Sequence, residues 1–574
     1  MPDPSAATIT VAQTLALLDG PFAGVAQGVE EGRYALWLGS GISRGRVPGL
    51  DRVVVRVLEF LRARIDAAQN DCSHRKALEK AVAIAELRTA EQEAIDFGDP
   101  VESWPPLEEV VKALVSRYAQ LLDIWVAGEP PDYLVWDGVD VRAAYGACAD
   151  PDCAHLAFAI LVLEGVVTDA PTPNWDGLLE RALQQLAGNA AEVVRVVVLP
   201  EDLRGAPRQL TLFKFHGCAV MAAADPDNYR EALVARKSQI TEWPRANETE
   251  AIRQELVSLA TSRPTLMIGL SAQDPNIQDI FSEAKARMEW PWPSDPPAHV
   301  FAEDQLGDDH SNILRFVYRD DYEGNEAAIA DGARIGAYAE QLLTALVLHL
   351  LAVKLRAFLQ ECDAPSLDAA VLDELGKGLP VLRDEVARHA EPDRLTFLRA
   401  LIAAQTRALT LFRSGLEPAR GTTVYKPLSN CPSNRIANEP MLETSGLREL
   451  AAALSILGHG SAGTNWRLAL GPTAAGNEGA VRIVSAAGAE SAVFFAANGK
   501  AAVQIEGGVR SGGDAEEVVI IHSTEPVEVA VRSPHGRYGR GGDPLPRHVH
   551  MSNLLKTSPD LTDLATRFRQ AAAL

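Results

Sequence analysis

The chain has 574 residues, 47% of them hydrophobic and 23% charged, the balance of a globular protein too long for one core. Its formal net charge of -23 is spread along the length, which argues against direct nucleic-acid binding by this chain alone. Six cysteines make no disulfide framework, the N-terminus lacks the basic region and clean apolar core of a signal peptide, and the apolar run Leu342 to Val353 is too short to span a bilayer and ends in Lys354, so a cytoplasmic protein without membrane association is expected.

In chain order, the segment YALWLG reads as a strand running into a glycine-rich turn, and residues 51–66 carry apolar residues at helical spacing. Residues 72–160 are mostly helical, with breaks near Asp99, Pro105 and Pro130. Strands and helices then alternate: LEGVVTDA, the helix-forming segment after Asn174, VVRVVVLP, LTLFKFHG, PTLMIGLS, a helix from Asp274 and AHVFAED. Strands that are apolar along their whole run argue a parallel sheet covered on both faces. From about 333 to 415 helices take over and stop at Gly415, and a loop rich in Pro, Ser and Asn fills 421–440. A helix is expected at 445–457. The runs WRLAL, AVRIVSA, SAVFFAA, AAVQIEG, EEVVIIH and PVEVAVR read as a small antiparallel unit, and a last helix covers 561–574. The expected fold is α/β: a Rossmann-like parallel sheet with helices on both faces and a helical insertion, followed by a helical segment and a small β-rich C-terminal domain. The expected units are 1–310, with the insertion at about 72–160; 311–420, for support or oligomerisation; and 421–574, an α+β unit for regulation or partner binding.

Four segments carry chemistry, each at the C-terminal end of a predicted strand, where open parallel sheets bind ligands. Gly39-Ser40-Gly41-Ile42-Ser43 has small residues that let a backbone approach a pyrophosphate, although such turns are also purely structural. In Thr172-Pro173-Asn174-Trp175-Asp176, Asn174 and Asp176 can both face a cleft, or Asp176 can cap the next helix. Lys214-Phe215-His216-Gly217 puts an imidazole at a strand end, where a satisfied core histidine is the simpler account. Gly269-Leu270-Ser271-Ala272-Gln273-Asp274 ends a strand, and Asp274 is also a natural helix cap.

In this order the four segments resemble the sirtuin family, whose members carry G-A-G-I-S, T-Q-N-x-D, a strand ending in H-G, and G-x-S; the resemblance covers roughly residues 25–305. The extension Asp274-Pro275-Asn276-Ile277 is similar to divergent bacterial sirtuin-like domains of phage-defence systems. The resemblance implies that NAD is the substrate. Gly39, Ser40 and Gly41 would line its pyrophosphate and Ser271 would contact its adenosine side, with Ser43, Thr172, Gly269 and Asp274 as further cofactor contacts. Asn174 would contact the nicotinamide ribose and position water, Asp176 would hold the carboxamide, and His216 would act as base or polariser. An oriented amide, a carboxylate and a tuned imidazole suit an oxocarbenium-like glycosidic cleavage.

The chain departs from deacylating sirtuins in lacking the two close cysteine pairs that follow the catalytic histidine, so no metal and no structural zinc are expected; Cys148, Cys153 and His155 are the remaining local alternative. The altered turn offers Arg44 or Arg46 for a phosphate or ribose role. Without the zinc module the acyl-lysine groove is in doubt, and water becomes the natural acceptor. The expected function is NAD glycohydrolysis to nicotinamide and ADP-ribose by an antiphage, abortive-infection effector. The alternatives are a protein deacylase or ADP-ribosyltransferase, and a non-catalytic nucleotide-binding scaffold. By the same resemblance the chain is a homo-oligomer that works with a HerA-type hexameric ATPase or, as the second possibility, a short Argonaute with guide nucleic acid. Gly458 to Thr464 lacks the lysine of a P-loop, and Arg537 to Gly542 is a single RGG-like turn.

Overall fold

The computed structural model describes residues 4–66, 71–147, 149–419, 421–463, 466–469, 481–485, 488–512, 518–524 and 546–574. Twelve strands are described: β1 (Ala35–Leu38), β2 (Asp169–Thr172), β3 (Val194–Val197), β4 (Leu210–Lys214), β5 (Thr265–Ile268), β6 (His299–Ala302), β7 (Arg334–Ile335), β8 (Trp466–Ala469), β9 (Val481–Ser485), β10 (Glu490–Ala496), β11 (Val518–His522) and β12 (Arg547–His550). The first seven are parallel and form two ladders, β1-β5-β6-β7 and β2-β4-β3. β2 packs beside β1. Arg263 bridges the two ladders, donating to Asp169 Oδ2 at 2.6 Å and to the Arg33 and Tyr34 carbonyls at 3.1 Å each. The spatial order is therefore 3-4-2-1-5-6-7, and the chain direction across the layer reverses at β1. In open sheets of this kind, ligands bind outside the carboxyl ends at such a reversal.

Both faces are covered, which explains why the strands read as continuous apolar runs. Side chains still alternate between the two cores. Leu36, Leu38, Leu266, Ile268, Val300 and Ala302 enter one; Ala35, Trp37, Met267 and Phe301 enter the other. The helix Cys153–Leu163 is buried on every side, as its all-round apolar sequence requires. The helices between Ser73 and Leu122 form a core of their own with one face of the helix Leu50–Arg62, through Val54, Leu58, Leu78 and Leu114. This is the Rossmann-like layer with a helical insertion that the sequence pattern implies.

Three expectations are corrected. The strand expected at LEGVVTDA begins only at Asp169: the Cys153 helix runs to Leu163, the chain turns at Gly165, and Val166 and Val167 pack into the core from the turn. The segment AAVQIEG lies in the helix Gly499–Gly512, not in a strand. Its Ala501, Ala502, Ile505 and Val509 share one helical face against Phe494 and Ile520, a spacing that a seven-residue window cannot tell from alternation. The C-terminal sheet, β12-β11-β10-β9-β8, is not purely antiparallel: β8-β9-β10 is, whereas β10-β11-β12 is parallel, that helix supplying the crossover from β10 to β11. Residues 526–532 and 537–542, expected as a strand and a turn, lie outside the described residues. Gly458 to Ala462 simply continue the helix Leu447–Ala462.

The last strand of the main ladder, β7, lies beyond residue 310, the expected end of the first unit. It leads into the helix Ala339–Gln360, which is long and apolar enough by composition to cross a membrane. That helix is instead built into the protein: Leu342 to Leu350 join the core under the sheet, and Phe358 and Leu359 join the core of the C-terminal unit. Between these contacts Lys354 is fully buried. Its Nζ donates to Glu164 Oε2 at 2.7 Å and to the carbonyls of Glu164 (2.6 Å) and Ser429 (2.7 Å). Glu164 Oε1 accepts from Tyr425 Oη at 2.7 Å and the Leu428 amide at 3.1 Å, so the buried carboxylate is satisfied on both oxygens. Removing one partner of such a pair leaves an unpaired charge in the interior. Lys354→Met is expected to cost about 3–5 kcal/mol, read as a loss in denaturant or thermal midpoint, with part of the loss recovered in Lys354→Met/Glu164→Leu.

Candidate functional site

The turn after β1 and the loop after β5 touch backbone to backbone. Gly39 N–H donates to the Ile268 carbonyl at 3.0 Å and Gly41 N–H to the Gly269 carbonyl at 2.9 Å. A Cβ on Gly39 would lie 2.2 Å from the Gly269 oxygen, and one on Gly41 would lie 2.6 Å from the Gly269 α-carbon. Gly269 itself has φ +63. These glycines, expected to open room for a pyrophosphate, are required first by each other. The short 3₁₀ turn Ser40–Ser43 then exposes Ser40 and Gly41 and buries Ile42 and Ser43.

Ser43 faces the interior. Its Oγ lies 3.2 Å from His155 Nε2, His155 Nδ1 lies 2.6 Å from Asp152 Oδ1, and Arg46 Nε lies 3.5 Å from Asp152 Oδ2. This buried chain bolts the β1 turn to the Cys153 helix. It engages Arg46, whereas Arg44 is exposed beside Glu303, whose carboxyl is raised by burial and partly lowered again by Arg44. It also engages His155 of the alternative metal set; Cys153 is buried against Thr344 Oγ1 at 3.2 Å, and Cys148 lies outside the described residues. Among the described residues no group of three or more His, Cys, Asp or Glu is arranged to hold a metal ion.

β2 ends at Thr172, whose Oγ1 accepts the Asn174 N–H at 3.1 Å. The Asn174 amide then donates to the Gly39 carbonyl at 3.0 Å, joining the second segment to the first. Asp176 is buried one residue before the N-cap Gly177 and accepts the Leu178 N–H at 3.2 Å, tying down the first amide of the helix Leu178–Ala187. Trp175 Nε1 donates to the His216 carbonyl at 2.8 Å, crossing to the end of β4. Lys214 completes the brace. Its Nζ, 1% exposed, donates to Glu180 Oε1 at 2.9 Å and to the Asp176 carbonyl, and lies 3.4 Å from Cys218 Sγ. Burial pulls its pKa down, but the Glu180 carboxylate and the neighbouring groups outweigh it, and the net shift is upward: this lysine is a permanent cation.

His216 is buried at the end of the same strand. Its Nδ1 is 3.3 Å from Asp274 Oδ2 and its Nε2 is 3.2 Å from Asn276 Nδ2. Burial lowers its pKa and the Asp274 carboxylate opposes that shift, so the ring is neutral near pH 7. Asp274 also caps the helix Pro275–Arg287 through the Asn276 N–H at 2.9 Å. Ser271 is exposed on the preceding loop. The insertion reaches the same region. Tyr118 is pushed up to about 12 by burial and by the Asp274 carboxylate, and Tyr145 likewise by burial and Asp176. Tyr145 also meets the Trp175 ring edge-on, with centroids 5.6 Å apart.

The structure thus brings Asn174, Asp176 and His216 together with Gly39, Gly41, Gly269 and Asp274 around the carboxyl ends of β1, β2, β4 and β5. It turns the Ser43 hydroxyl away from that edge. Sequence reasoning gave no role to Lys214, Trp175, Asn276 or Asp152, and considered His155 only as a metal ligand. A lysine inside the apolar strand LTLFKF was the available signal, because lysine is almost never buried unpaired. Gly39→Ala is expected to force the two loops apart, lowering the thermal midpoint by several degrees, whereas Ser40→Ala, at an exposed position, leaves it unchanged within about 1 °C.

No curated protein matches the chain. A family model described as SIR2-like domain matches residues 170–316, which include Thr172 to Asp176, His216 and Gly269 to Asn276 but not the β1 turn or the insertion. The match and the Rossmann-like layer together support a sirtuin-like family for this part of the chain.

Proposed function

We propose that the protein hydrolyses NAD at the nicotinamide glycosidic bond, giving nicotinamide, ADP-ribose and a proton. The observation that carries this reading is the convergence of an oriented amide (Asn174), a buried carboxylate (Asp176) and a neutral imidazole (His216) at the point where the sheet order reverses. SIR2-like domains bind NAD, and a ligand at this edge would meet all three groups. As the C–N bond lengthens, positive charge grows on the ribose carbon. His216 then takes a proton from a ribose hydroxyl or from the attacking water, Asn174 orients that water, and Asp176 holds the departing carboxamide. Water is the acceptor because the chain lacks the cysteine pairs that frame an acyl-lysine groove in deacylating sirtuins.

An enzyme that destroys NAD has to be restrained until it is needed. We place it in the cytoplasm as a homo-oligomeric antiphage effector that depletes NAD on infection. Its control would come from a HerA-type hexameric ATPase or, as the second candidate, from a short Argonaute with its guide. The resemblance of the Asp274–Ile277 segment to phage-defence domains supports this setting. The test is NAD turnover by the full-length protein beside His216→Ala and Asn174→Ala, with products resolved by chromatography and NAD binding measured in parallel. Nicotinamide and ADP-ribose from wild type, reduced at least about 100-fold in both variants, are expected. Binding without turnover, even with the partner added, would favour a nucleotide-binding scaffold; transfer of an acyl or ADP-ribosyl group to protein would favour the transferase chemistry.

A further inference from the structure

His216 has a polar neighbour at each ring nitrogen, a carboxylate at Nδ1 and a hydrogen-bonding amide at Nε2, and that amide has a polar atom to spare. We propose that Asp274 and Asn276 are positioning residues that hold His216 as its Nδ1–H tautomer, and that the Asn276 amide turns over to accept a hydrogen bond from Nε2 when the ring becomes charged.

The tautomer follows from the partners. Asp274 Oδ2 lies 3.3 Å from Nδ1 as an ion-pair contact, and a bare nitrogen lone pair facing a carboxylate would be repelled, so Nδ1 bears the hydrogen. In the neutral ring Nε2 is then a bare lone pair, matched by the Asn276 amide donating from 3.2 Å. Asn276 is 0% exposed, and its Oδ1 has no hydrogen-bond partner. Rotating the amide by half a turn exchanges its oxygen and nitrogen within almost the same volume. The oxygen then faces Nε2 and accepts from it once that atom is protonated. A buried imidazole normally loses a partner when it changes protonation state; here the same side chain serves both states.

The surroundings allow little else. Asp274 and Asn276 sit two residues apart at the start of the helix Pro275–Arg287, and the Asp274 side chain is fixed by its bond to the Asn276 N–H. The loop before them is set by Ala272, which has φ +56. Phe215 and Trp243 press on the ring at centroid distances of 4.8 and 6.1 Å. From β4, Lys214 is directed toward Asp176 and Glu180, and from the insertion Tyr118 acts on Asp274. Among these groups the Asp274 carboxylate is the charge paired with the ring. Resting on the proposed reaction only for its chemical use, the arrangement makes Nε2 the atom that accepts a proton, with Asp274 stabilising the imidazolium and Asn276 holding the new N–H.

The test does not need turnover. Full-length protein labelled with ¹⁵N-histidine contains twelve histidines, and His216→Gln identifies the signal of interest by its loss in magic-angle-spinning NMR. At neutral pH the expected state is protonated Nδ1 and bare Nε2. Asp274→Asn keeps the helix cap; it should mix the tautomers and lower the pH midpoint of the ring by about one unit, while Asn276→Asp should raise it by about one unit or more. A wild-type ring in the Nε2–H form, or a tautomer and midpoint unchanged in both variants, would overturn the assignment. NAD turnover in the same samples separates the two claims: the expected tautomer with no turnover, even with the partner added, leaves the assignment standing and counts against the hydrolase, and turnover with the other tautomer does the reverse.

Discussion

The contact between the β1 turn and the β5 loop sets the position of everything else at the carboxyl edge of the sheet. Two strands adjacent in space but 230 residues apart in sequence end in backbones that touch, and Gly39, Gly41 and Gly269 make room for them. Asn174 is oriented by the Gly39 carbonyl, so its geometry depends on that contact. Asp274 follows Gly269 by five residues, so the partner of His216 depends on it too. The approach has a local cause, since any side chain at these positions would collide with backbone that has nowhere to go.

Two buried lysines do similar work at different places. Lys214 ties the β2 turn to the end of β4, and Lys354 ties the sheet domain to the segment around Ser429. Each brings an ammonium into the interior, where an uncompensated charge is costly, and each is surrounded by acceptors. A flexible stem with three donors suits this use better than a planar guanidinium, because the acceptors around each lysine come from several chain segments and share no plane. The cost of burial is offset only while all the partners are present, so these sites respond sharply to single substitutions.

How much of this was legible from sequence varies by kind of interaction. The parallel layer was, because β1, β5 and β6 are apolar on both faces and are punctuated by Gly and Pro. The place of the four segments at the ends of β1, β2, β4 and β5 was, because each follows an apolar run that stops at a turn. Partnerships across long sequence distances were not. Nothing near Ser43 announces His155, and nothing near Glu164 announces Lys354 or Tyr425. Asn276 stood in a segment singled out for its resemblance, yet its bond to His216 spans 60 residues and depends on how one helix starts. In the C-terminal unit the error had another source: AAVQIEG satisfies two periodicities at once, and only the apolar sheet face waiting for Ala502 and Ile505 decides between them.

The helix Ala339–Gln360 belongs to two cores at once. At 1.5 Å per residue its 22 residues form a rod about 33 Å long, with one end set in the sheet domain and the other in the C-terminal unit. A rod set in both cores makes them share one foundation: neither could be cut away without laying bare the apolar side chains that the same helix buries in it.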